Sequence, residues 1–66
     1  MYVRINGESR QVEESATLQQ VLFNLGYQES FVDVAVNKSC IKRSDLAVTQ
    51  VKAGDDIEIL APMAGG

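Results

Sequence analysis

Apolar and polar positions change their spacing several times along the chain, and each change marks an element. Val3 and Ile5 alternate with Tyr2 and Arg4, the two-residue period of a half-buried strand. Asn6-Gly7 follows, and this pair is the strongest short hairpin signal, because a type I′ turn holds both central residues at positive φ. The chain then returns as a second strand from Glu8 to Val12. Past it the period lengthens. Leu18, Val21, Leu22 and Leu25 lie at i, i+3, i+4 and i+7 and share one face of a helix. Thr17 is placed to cap that helix, with Gln20 completing a capping box. Gly26 stands where a left-handed C-terminal cap is needed.

The alternation resumes in FVDVAVN, where Val32, Val34 and Val36 point one way and Phe31, Asp33 and Ala35 the other. Lys38, Ser39 and their neighbours turn the chain, and Cys40 to Lys42 form a short partner strand. RSDLAVTQV has no regular period. Ser44 is the expected cap of a single helical turn through Leu46, after which Val51 returns to the core. A turn at Ala53-Gly54-Asp55-Asp56 leads into the last strand, DIEIL, with Ile57 and Ile59 on one face and Glu58 and Leu60 on the other. Pro62 cannot donate to a ladder and ends that strand; it also biases Ala61 to an extended conformation.

One helix must then cover one face of a mixed sheet. A right-handed crossover places the first and last strands side by side and parallel at the sheet centre. The expected fold class is α+β: a roll with a mixed sheet of about four or five strands under a single main helix. Its expected core is Val3, Ile5, Leu18, Val21, Leu22, Leu25, Val34, Val36, Val51, Ile57 and Ile59.

Composition narrows the function more than the fold. The chain has 66 residues, 45% of them hydrophobic and 23% charged, which is one small globular domain, residues 1–66. The segment at about 62–66 is expected to be a flexible tail. A net charge of −3, from six Lys and Arg against nine Asp and Glu, disfavours nucleic-acid binding, which needs a basic footprint. No apolar run approaches a membrane span, and MYVRINGE lacks the charged-then-apolar pattern of a signal peptide. A cytoplasmic location is the expectation. With a single cysteine, Cys40, and no histidine, no internal disulfide and no nucleophile–base pair can form. Asp55 and Asp56, adjacent on a turn, read as turn-stabilising residues rather than a metal pair. The chain is therefore expected not to be an enzyme itself.

The sequence closes on APMAGG. Either this is an incidental frayed end, or the carboxylate of Gly66 is the working group and the fold presents it. The second half of the chain, VAVNKSCIKRSDLAVTQVKAGDDIEILAPMAGG, resembles the ThiS family of thiamin-biosynthesis sulfur carrier proteins. The shared pattern is a V-x-V-N strand and turn, a basic residue some positions on, a G-D turn, a V/I-E-I strand and a terminal Gly-Gly. The NGE hairpin and the T-L helix extend the resemblance over essentially the whole chain. One position departs: the family often has a proline before the arginine, where this chain has Lys42 before Arg43.

The resemblance implies the β-grasp, or ubiquitin-like, fold. It also implies that the Gly66 carboxylate is adenylated and then converted to a thiocarboxylate that supplies sulfur for the thiazole of thiamin. The implied partners are an adenylating, ubiquitin-activating-like enzyme of the ThiF type, a thiazole synthase of the ThiG type, and a cysteine desulfurase or other persulfide donor. ATP is then a substrate of the activating partner, and this chain binds no cofactor or metal. Gly65 and Gly66 suit such a tail because a backbone without Cβ can enter a narrow channel. Leu60, Pro62, Met63 and Ala64 are the candidate partner-binding residues at its root, since an exposed apolar cluster on a small protein marks a docking site. For Leu60 the alternative is simple packing on a neighbouring surface side chain. Cys40 reads as a half-buried thiol near a turn rather than a sulfur relay, and Lys42 and Arg43 as a solvated loop pair. Three other readings share these features: a small subunit like that of molybdopterin synthase, a ubiquitin-like modifier that forms isopeptide bonds, and a plain binding module.

Overall fold

Two separate hairpins form the sheet, and the last strand joins them. In a computed structural model, which describes residues 1–61, β1 (Tyr2–Ile5) pairs antiparallel with β2 (Glu8–Gln11). The two-residue Asn6-Gly7 turn between them has φ of 52° and 84°, as a type I′ turn requires. β3 (Asp33–Val36) pairs antiparallel with β4 (Ser39–Ile41) across a second two-residue turn, Asn37-Lys38, with φ of 51° and 71°. β5 (Asp56–Leu60) lies between the hairpins, parallel to β1 and antiparallel to β3. The strand order is β2-β1-β5-β3-β4. This is the expected five-stranded mixed sheet with the first and last strands side by side at its centre. Pro62, Met63, Ala64, Gly65 and Gly66, the expected tail, lie outside the described residues.

The helix α1 (Leu18–Leu25) begins and ends where its capping residues stand. Thr17 Oγ1 accepts from the Gln20 amide, and Gln20 Oε1 accepts from the Thr17 amide, a complete capping box. The two remaining first-turn donors are taken by the irregular segment that follows β4. Leu18 N–H donates to the Thr49 carbonyl at 2.9 Å and Gln19 N–H to the Leu46 carbonyl at 3.1 Å. The start of the helix thus has no orphan amide. At its other end Gly26 adopts φ 86°. The Tyr27 and Gly26 amides there reach back to the carbonyls of Leu22 and Phe23, a Schellman closure that needs a left-handed residue.

The core is one cluster in which Leu18, Val21 and Leu22 of the helix meet Val3, Ile5, Val34, Ile57 and Ile59 of the sheet, with Val51. It differs from expectation at five positions. Leu25 and Val36 are only partly buried, at the margins of the cluster. Ala16, Val32 and Leu46 are buried in it. Leu46 is drawn in because the hydrogen bonds to Thr49 and Leu46 tie its loop to the helix. Val32 is the residue between a single 3₁₀ turn at Glu29–Phe31 and β3, so it packs as a strand residue without belonging to the ladder. Phe31 is correspondingly not in β3, as expected from the alternation, but exposed on the 3₁₀ turn. The helical turn expected from Ser44 is also 3₁₀, at Arg43–Asp45. Its cap residue is Lys42, and no side chain caps it.

The helix does not reach across β2, all four of whose residues are exposed. Among the described residues, no helix is long and apolar enough to cross a membrane.

Candidate functional site

The chain runs out of the sheet at the end of its central strand, so the residues bonded to β5 decide how that end is held. On one side β3 pairs with β5 as far as Asp33 opposite Leu60. On the other side the parallel ladder runs through the Arg4 amide, bonded to the Asp55 carbonyl, and the Asn6 amide, bonded to the Ile57 carbonyl, both at 2.9 Å. There β1 turns away into its hairpin, and no further main chain of β1 remains to pair with Ile59. The Asn6 carboxamide takes over. Its Oδ1 accepts from the Ile59 amide at 2.8 Å and its Nδ2 donates to the Ile59 carbonyl at 3.3 Å.

A second turn asparagine does similar work at the start of β5. The Asn37 amide donates to the Asp56 carbonyl at 2.7 Å, and its Oδ1 accepts from the Asp56 amide. Its Nδ2 donates to Asp55 Oδ1, while Asp55 Oδ2 accepts from the Lys52 amide. Asp55 thus stabilises the turn, as the sequence indicates. Both asparagines read in the sequence as turn residues only. The missed signal is that each directly follows a strand, β1 or β3, that neighbours β5, where a carboxamide can pair like a peptide group.

Alternation along the strands divides the sheet into two faces. Ile57 and Ile59 enter the core, while Glu58 and Leu60 stand on the face away from the helix. Leu60 is 64% exposed, so packing on a neighbour does not cover it. By register, that open face also carries Asp33 opposite Leu60, Ala35 opposite Glu58, and Cys40 opposite Ala35. Cys40 is exposed, not half-buried as expected. β4 is an edge strand with no helix above this face, so among the described residues nothing shelters the thiol. Of the residues expected at the partner-binding root, the structure places Leu60. Pro62, Met63 and Ala64, with Gly65 and Gly66, lie outside the described residues. No cluster of metal-ligating side chains occurs among the described residues.

Lys42 and Arg43 separate in role. Arg43 is a brace: its Nε donates to the Glu29 carbonyl at 3.2 Å, and its Nη2 lies 3.7 Å from Asp33 Oδ1. It links the loop after β4 to the 3₁₀ turn and to the start of β3. Lys42 beside it has φ −67°, the value a proline ring imposes, with ψ 146°.

With this geometry in view, comparison with known proteins is decisive. The model of the ThiS family matches residues 3–66. The chain belongs to the ThiS family. The crystal structure of the thiamine biosynthesis protein ThiS from Geobacter metallireducens superposes with a TM-score of 0.84 at 33% identity, covering all of both chains. A solution structure of a thiamine biosynthesis protein from Geobacter metallireducens gives 0.82 at 33% identity, covering all of this chain and 88% of that one. The β-grasp fold is therefore shared. Two curated relatives, both thiazole synthases, match the whole of this chain: one from Paramagnetospirillum magneticum at 36% identity and one from Magnetococcus marinus at 30%. The chain spans 20% of the length of each.

At the departure from the ThiS pattern the Lys42 backbone is already compatible with proline, and this is testable. Val36–Ser39 closes a two-residue turn, so Val34–Ile41 is the next hydrogen-bonded pair and the Lys42 amide faces the open sheet edge. Lys42→Pro is expected to raise stability by about 0.4–1 kcal/mol, because it restricts only the unfolded chain. Chemical denaturation measures this; a loss of stability would show that the Lys42 amide has a partner.

Proposed function

We propose that this ThiS-family chain is a sulfur carrier of thiamin biosynthesis whose working group is the Gly66 carboxylate. The observation that carries the reading is the family match through Gly66, on a fold whose central strand leads toward that residue. A carboxylate is a poor electrophile and must first be activated. In this reading an adenylating partner of the ThiF type binds ATP, and a Gly66 carboxylate oxygen attacks the α-phosphorus and expels pyrophosphate. The acyl carbon then carries AMP as a leaving group. The terminal sulfur of a persulfide, formed on a cysteine desulfurase or another donor, displaces AMP. A thiol of the donor cleaves the resulting S–S bond, which leaves a thiocarboxylate on Gly66 and a disulfide on the donor. The thiocarboxylate hands its sulfur to a ThiG-type thiazole synthase.

The two thiazole synthases that contain a segment matching this chain support that acceptor over the molybdopterin one. The chain contributes presentation: the clamped end of β5 is the root, and residues 62–66 carry the group on which each partner acts in turn. Leu60, bare on the open face beside that root, is the apolar contact by which the partners dock, with Pro62, Met63 and Ala64 continuing it.

Incubation with ATP, an adenylating partner and a persulfide source, followed by intact mass spectrometry, is expected to show one terminal oxygen replaced by sulfur. An unchanged mass, or Gly66 joined to lysines of other proteins, would contradict the carrier reading. Leu60→Asp is expected to leave the fold intact, since the side chain is exposed, and to weaken partner docking by about tenfold or more. Thiocarboxylation of that variant at the native rate at low partner concentration would remove Leu60 from the docking surface.

A further inference from the structure

We infer that Asn6 is a positioning residue for delivery of the chain's end: its side chain, not its main chain, fixes the last turn of the ladder from which residues 62–66 continue. This rests on the carrier reading above and adds a residue that reading does not use.

In an uninterrupted parallel pair, the carbonyl of residue 6 would accept from the Ile59 amide, and the amide of residue 8 would donate to the Ile59 carbonyl. The Asn6-Gly7 turn removes both, because β1 reverses there to form its hairpin with β2. The Asn6 carboxamide supplies one acceptor and one donor to the same two groups, 2.8 Å and 3.3 Å away and 53 residues distant in sequence. The turn needs only a residue that accepts positive φ at that position, a requirement that asparagine, aspartate and glycine all meet. What glycine cannot do is reach Ile59.

The position of this clamp gives it its role. Ile59 is the last core residue of β5, and Leu60 and Ala61 are the only described residues beyond it. Without Asn6, β5 is held past Ile57 on its β3 side alone. The end of the strand then samples a wider range of directions, and every degree of freedom at the root is multiplied along the residues that follow. A reacting carbonyl delivered from a loose root spends less time in a reactive geometry, and small misplacements of reacting atoms cost rate steeply. The docking contact at Leu60 stays paired with Asp33 of β3, a pairing that Asn6 does not make, so docking survives loss of the clamp. The consequence falls on turnover, not on affinity.

Asn6→Gly keeps the turn and deletes the clamp. Asn6→Asp keeps the turn and the acceptor for the Ile59 amide but opposes a carboxylate oxygen to the Ile59 carbonyl, and it serves where Asn6→Gly does not fold. Two readouts are taken on the full chain. Amide hydrogen exchange at Ile59, relative to Ile57, is expected to rise about tenfold in Asn6→Gly, with a smaller rise in Asn6→Asp. Activation by the adenylating partner with ATP is expected to lose about tenfold in kcat while KM stays within about twofold. Unchanged Ile59 protection, native kcat, or a loss confined to KM overturns the inference. A native chain that the partner does not activate overturns the carrier reading instead, and the delivery role with it, whereas failure of the inference alone leaves the native chain active and the Asn6→Gly chain equal to it.

Discussion

The sheet depends on inserting its last strand into its middle. β1–β2 and β3–β4 are local hairpins that share no ladder with each other. Only β5 makes them one sheet, through a parallel pairing with β1 and an antiparallel pairing with β3. Ile57, at 0% exposure, sits where those pairings meet the helix. The parallel contact joins Arg4 to Asp56 across most of the chain, so loop closure must precede any gain from it. Either two-stranded hairpin by itself is at best marginally stable. The sheet is therefore complete only when the last strand stands at its centre, between the first strand and β3.

That arrangement has a functional consequence. A strand at the edge of a sheet frays, whereas a central strand is held from both sides until it leaves. Here two turn asparagines extend the hold at each end of β5, Asn37 at Asp56 and Asn6 at Ile59. The residues past Leu60 therefore start from a fixed point, on a protein otherwise small enough to dock as a unit. The proposed carrier role would use this division, with a body for partners to recognise and a short end for them to act on.

How much of this the sequence discloses varies with the physics behind each element. The hairpin at Asn6-Gly7, the helix with Thr17, Gln20 and Gly26 at its ends, and the in–out alternation of β5 are all local signals, and each is found where it is expected. The buried Leu46 is not legible, because its environment is set by a loop whose carbonyls bond to the helix start, and Leu25 is only partly buried because the last turn of the helix lies at the margin of the core. Cys40 is bare because β4 is an edge, and edges follow from topology rather than from residue type. The Ile59 clamp joins residues 53 positions apart, so only the folded chain reveals it. Leu60 is legible as outward-facing from its parity with Glu58. The chemistry of Gly65 and Gly66 rests on the ThiS family and not on any described contact.

The claim at the centre is that this fold is a mount for its own final carboxyl group. The direct measurement is ATP–pyrophosphate exchange by the adenylating partner, with the native chain and with a chain extended by one uncleaved alanine after Gly66. The account predicts exchange with the native chain and loss of exchange with the extended one, at equal fold stability. Equal exchange with both would contradict it.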